Sequence, residues 1–147
     1  MSMEQGDALL AHNFGIQIDG ITVETLHSVS ELGNQQDVIE YAQVTENGQP
    51  IVRKLPGVKK AGEVTIVRGA QPSPVFSEWL DTSVKGDMGS ARKNASVVYM
   101  DSMKQPIKRV NLRNAWCSSR MVSGVTAGEA SVVTETVVIV YEEAVPE

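Results

Sequence analysis

A chain of 147 residues suits one domain, with room for a short arm but not for a second core. Val, Ile and Thr contribute 21, 8 and 8 residues against 7 Leu, and β-branched side chains crowd a helix, so an all-helical bundle is excluded. Thirteen basic against 18 acidic residues leave a net charge of -5, which opposes general binding to nucleic acid or anionic membranes.

The first segment, Met1 to His12, lacks the basic region and apolar run of a signal peptide and reads as an N-terminal arm, residues 1–12. One β domain is expected from residue 13 to 147. Phe14, Ile16 and Ile18 alternate with polar residues, the period of a half-buried strand. Asp19-Gly20 tolerates positive φ and turns this strand into a returning one that runs on to Val29. Glu31 to Gln36 is a polar loop. Val38 to Val44 is the next strand, with Ile39 and Tyr41 on one face and Val38, Glu40 and Ala42 on the other. Asn47-Gly48 is a second turn signal, and Ile51-Val52 starts the returning strand. Pro56-Gly57 is expected to stop the pairing, leaving Arg53 to Lys60 as a basic loop. Val64 to Arg68 is a short strand closed by Gly69.

One helix follows. Ser73 suits its N-cap and Pro74 its first position, and Phe76, Trp79 and Leu80 fall at i, i+3 and i+4 as a narrow apolar stripe. Gly86 and Gly89 read as loop. Strands resume at Ala95 to Met100, at Ile107 to Asn114, where Val110 and Leu112 alternate with Arg109, Asn111 and Arg113, and at Ser131 to Tyr141. About seven strands and one flanking helix predict a mainly β protein, a small β-barrel or sandwich, with Phe14, Phe76, Trp79, Leu80 and Trp116 in its core. The last strand carries apolar side chains on both faces, Val132-Val133 and Val137 to Val140, so burial on both sides is expected. Long hairpins with open edges also ask for a partner, and self-assembly is the expectation.

Chemistry is hard to find along the chain. His12 and His27 have no Ser, Cys or carboxylate arrangement around them. Cys117 reads as a buried, inert thiol that has no internal disulfide partner. Glu78 and Asp81 share a helix face and read as solvated. Asn94-Ala95-Ser96 fits a glycosylation acceptor only in a secreted chain. No phosphate loop, dinucleotide fingerprint or metal spacing occurs. The expectation is a protein without catalysis, cofactor or metal.

Several segments, taken in order, resemble the tail-tube protein family of contractile-tailed phages, whose relatives form the inner tubes of phage-like contractile injection systems. They are Phe14 to Ile21, Val29-Ser30, Asp37 to Tyr41, Val52 to Gly57, Val64 to Gly69, the helix with Phe76 and Trp79, Arg92 to Val98, Asn114-Ala115-Trp116 and Glu135-Thr136-Val137. Glu31, Ala61 and Cys117 depart from the pattern. The resemblance implies a β-barrel-like subunit in hexameric rings, stacked into a hollow tube inside a contractile sheath. Its partners would be further copies, the sheath, baseplate and tube-terminating proteins, and cargo in the lumen. Such a chain is made in the bacterial cytoplasm without a signal peptide and assembled in a phage tail or injection particle. On that footing Arg53, Lys54, Lys59 and Lys60 are candidates for ring stacking. Val38, Glu40, Ala42, Val133, Val137 and Ile139 are candidates for lateral strand pairing. Two alternatives stand beside the tube: an initiator ring at the baseplate, and a soluble β-sandwich module that binds a ligand.

Overall fold

Alternation of apolar and polar residues builds a sheet that wraps around its own apolar face. In the computed structural model the described residues are 13–19, 21–69, 74–124, 126–128, 130 and 132–147. The expected arm, with His12, and the turn and cap positions Gly20 and Ser73 lie outside them, as do residues 129 and 131 near the expected start of the last strand. The strands are β1 (Asn13–Ile18), β2 (Ile21–Leu26), β3 (Ser28–Val29), β4 (Gln35–Val44), β5 (Pro50–Lys60) and β6 (Gly62–Gly69). After the helices α1 (Val75–Val84) and α2 (Met88–Ala91) come β7 (Lys93–Met100), β8 (Pro106–Val122), β9 (Thr134–Tyr141) and β10 (Glu143–Pro146). The protein is mainly β and antiparallel, as its sequence implies.

The main sheet runs β2-β1-β7-β8-β9-β6-β3, with β10 paired to β8. Its two end strands, β2 and β3, are consecutive in the chain and meet at His27, whose N–H donates to Val67 O at 2.7 Å. The sheet therefore curls until one stretch of chain serves both of its edges. No β2–β6 ladder occurs among the described residues, so the barrel is left open at this seam. The expected single returning strand to Val29 is thus divided by a bend.

The opposite corner lies in β8. Asn114 has φ +52°, and β8 gains one residue there against β7: Lys93 pairs Ala115 while Ala95 pairs Leu112. An extra residue flips the side-chain phase of everything after it. Val110 and Leu112 face the core before the bulge, and Ala115 and Cys117 face it afterwards. Trp116 is consequently turned to the opposite face and half-buried, which corrects its expected core position. Asn114 Nδ2 donates to Glu142 Oε2 at 2.9 Å, pinning this corner to the bend between β9 and β10.

The core contains Ile16, Val64, Ile66, Phe76, Val97, Leu112, Val137 and Ile139, all fully buried. Each such side chain contributes about 1.5–3 kcal/mol relative to exposure. Phe14 packs on the rim of this cluster, its ring edge-on to Tyr99 with centroids 5.9 Å apart. Helix α1 covers β8 with Phe76 and Trp79 buried and Leu80 half-buried. Pro74 is its N-cap and not its first helical residue. Trp79 Nε1–H donates to Ala91 O at 2.6 Å, tying α1 to α2, a short helix that replaces the expected loop around Gly89. No helix among the described residues is long and apolar enough to cross a membrane.

Candidate assembly surfaces

Strands β4 and β5 form a sheet of their own, standing apart from the barrel. Thr45 to Gln49 close the hairpin, with Gly48 at φ +79° and its N–H donating to Thr45 O at 2.9 Å, as the Asn-Gly signal predicts. Pairing does not stop at Pro56-Gly57. Pro56 pairs Val38 and the ladder resumes at Lys59 and Lys60, because a bulge in β5 itself, where Gly57 and Val58 together oppose Asp37, absorbs the irregularity. Gly57 is needed there: a Cβ would lie 2.9 Å from Asp37 O. The basic stretch is therefore strand and not loop.

Both faces of this arm are exposed. One presents Val38, Ala42, Val44 and Val52 around Glu40–Lys54; the other presents Ile39 and Leu55 beside Tyr41 and Arg53. Val38 is 62% exposed and Ile39 52%, while buried core positions of the barrel stand near zero. A two-stranded hairpin is at best marginally stable alone in water, and its outer edges carry unpaired backbone groups. Apolar side chains on both faces of such an element mark a contact surface.

The four predicted basic residues lie together on β5 and all are exposed. Lys54 Nζ is 3.9 Å from Glu40, Lys60 is 3.1 Å from Asp37, and Lys59 is 3.5 Å from Glu143. Arg53 Nε donates to Gln43 Oε1 at 3.2 Å. These exposed pairs hold weakly and can exchange partners.

The second group of pairing candidates does not survive as expected. β9 is bonded to β6 on one edge and to β8 on the other, so it offers no free edge. Val137 and Ile139 are fully buried in the core, and only Val138 and Val140 lie half-buried on the outer face. Val133, half-buried, precedes the strand. The two apolar faces of β9 come from a position between core and surface inside one subunit. Val38, Glu40 and Ala42 remain on an open arm.

The sequence reading missed a buried ionic group. Glu135 accepts from Arg68 Nη2 at 3.0 Å and from Arg120 Nε at 2.5 Å, and the Arg68 guanidinium lies 4.6 Å from the centre of the Phe76 ring. Arg68 and Glu135 fall in phase with the apolar inward positions of β6 and β9, which is the only trace they leave in the sequence. Cys117 is buried, and burial pushes its thiol up to about 11, against the demands of a nucleophile. Glu78 and Asp81 are exposed on α1, and His27 is exposed at the strand bend. Among the described residues no three His, Cys, Asp or Glu side chains converge as a metal site would require.

The profile of the family described as T4-like virus tail tube protein gp19 matches residues 10–145. No curated protein matches the chain. Among solved structures, the fold is similar to a chain of an extracellular contractile injection system, the PVC sheath-tube complex in its extended state. That match has a TM-score of 0.72 at 16% identity, covering 97% of this chain and 93% of the other. A chain of the anti-feeding prophage cap, the AFP tube-terminating cap, matches with a TM-score of 0.75 at 17% identity, covering 100% and 95%. Hcp1 from Flavobacterium johnsoniae matches with a TM-score of 0.58 at 15% identity, covering 92% and 94%. At these identities the structures establish a shared fold, and the profile establishes descent: this chain belongs to the T4-like tail tube protein family.

Proposed function

We propose that the protein self-assembles into hexameric rings that stack into the hollow inner tube of a contractile injection system or phage tail, the conduit for cargo when the sheath contracts. Its family is one of structural tail tube proteins and not an enzyme class. The observation that carries the reading is the β4–β5 arm, apolar on both faces and, among the described residues, packed on itself and only marginally on the rest of its own subunit. Burying such an arm between copies removes its apolar surface from water and pairs its open edges. A closed ring then leaves no edge to recruit stray strands.

Within that tube the arm takes the contacts between subunits. Arg53, Lys54, Lys59 and Lys60 meet acidic groups of the adjacent ring, exchanging their weak internal pairs for intermolecular ones. A net charge of -5 per subunit keeps the lumen from gripping acidic cargo. The sheath surrounds the tube, and baseplate and terminator proteins end it. The chain is made in the bacterial cytoplasm and works in the assembled particle.

Negative-stain microscopy with sedimentation of the purified protein tests this reading. Stacked tubes support it, and single rings that never lengthen favour an initiator ring at the baseplate. Monomers that persist at high concentration, with sheath and baseplate components present, overturn it.

A further inference from the structure

The arm joins the barrel through two short links, residues 30–34 before β4 and Ala61 after β5. Two links lying side by side leave a hairpin free to swing about the line through them, unless a contact off that line fixes it. β4 and β5 pack on one another and only marginally on other elements, so packing does not supply that contact. A cluster of hydrogen bonds from the C-terminal strands does. Tyr141 at the end of β9 donates through its hydroxyl to Gly33 O at 2.9 Å and accepts from Gly33 N–H at 3.2 Å. Asn34 Nδ2 donates to Ala144 O at 2.7 Å, and Ala144 N–H donates to Asn34 Oδ1 at 3.0 Å. One amide side chain thus satisfies the outward backbone groups of Ala144 on β10, in the manner of a paired strand. Next to the other link, Gly62 at the start of β6 presses against the Tyr141 ring, where a Cβ would lie 2.6 Å from its atoms. Lys59 reaches Glu143 at 3.5 Å.

We infer that Asn34 and Tyr141 are positioning residues that lock the assembly arm at a fixed angle to the barrel before any partner arrives. The inference rests on the reading of the arm as the contact between copies. Both links are held by one stretch, residues 141–144, which is itself fixed in the barrel by β9 and by β10 pairing to β8. A locked arm loses little freedom on docking, and that lowers the protein concentration at which rings form. If a loosened arm occupies the docking angle one tenth of the time, apparent affinity falls about tenfold.

The test uses Asn34→Ala, which removes both amide bonds, and Tyr141→Phe, which removes only the hydroxyl and keeps the buried ring. Spin labels at Glu46→Cys, in the arm tip, and Lys108→Cys, an exposed position of β8, report the arm angle in dilute monomer. The expected result is a narrow distance distribution in the parent and a broad one in both variants, with thermal unfolding of the barrel little changed. The variants should also need about tenfold more protein to assemble and recover at high concentration. A distribution that stays narrow in both variants overturns the clamp, and broadening in variants that assemble at the same concentration as an assembling parent overturns its role in assembly. Should the parent form no rings or tubes at all, the tube reading falls separately, and a distribution that broadens on Asn34→Ala still upholds the clamp.

Discussion

Glu135 on β9 and Arg68 on β6 face each other in the barrel core, with Arg68 Nη2 3.0 Å from Glu135 Oε2 and both side chains 1% exposed. Arg120 reaches the second carboxylate oxygen from β8 while remaining partly open to solvent. One carboxylate therefore ties together β6, β8 and β9, and Phe76 of α1 rests on the Arg68 guanidinium.

Removing one member strands a buried charge. Glu135→Ala is expected to cost about 3–5 kcal/mol in urea unfolding. The pair Arg68→Met and Glu135→Leu should recover most of that loss, because Arg120 can rehydrate where it stands. A single-variant cost under about 1 kcal/mol would show that the carboxylate carries no such weight.

Cys117 gives a pH signature. Burial raises its thiol from 9.0 to about 11, since the folded environment disfavours the thiolate. A raised acid contributes stability that is complete below the unfolded value and disappears as pH climbs through the folded one. Between pH 9 and 11 the parent should lose on the order of 2 kcal/mol more than Cys117→Ala does. Equal pH slopes in the two proteins would contradict the shift. At pH 8 the native thiol should react with a disulfide reagent only after denaturation.

The apolar arm positions serve assembly and not the monomer. Ile39→Asn combined with Leu55→Asn should change monomer stability by no more than about 0.5 kcal/mol, as expected of exposed sites. The same pair should abolish rings and tubes in sedimentation velocity. Full assembly by this variant would remove the arm from the interface.

Reversing Lys59 and Lys60 to Glu breaks only their exposed pairs with Glu143 and Asp37, so the fold should persist. Tubes should shorten or vanish under the microscope, and raised salt should shorten parental tubes in the same direction. Undiminished length would defeat the stacking role of this strand.

Much of the fold is legible in local sequence because alternation and turn chemistry act over a few residues. Asp19, with φ +53°, and Gly48, with φ +79°, sit where the Asp-Gly and Asn-Gly signals place them. Phe76 and Trp79 pack inward as their spacing requires. Pro56-Gly57 misled because β5 takes up the irregularity as a bulge, Gly57 and Val58 opposite Asp37, and pairing resumes beyond it; pairing partners are invisible to a local signal. Trp116 misled for a similar reason: the phase of β8 flips at Asn114, where the strand turns a corner.

By itself, then, the sequence determined a mainly β domain, its hairpins, its covering helix and, through an ordered series of weak motifs, its family. Tertiary structure alone decided which apolar strand is open to other copies. β9 is flanked on both edges by its own chain, while among the described residues no further strand pairs with the β4–β5 arm, though both look doubly apolar in sequence. It alone also brought Glu135 to Arg68 across 67 residues and Asn34 to Ala144 across 110. Composition and periodicity report what each residue prefers to touch. Which neighbour fills that preference is settled only when distant strands close the barrel.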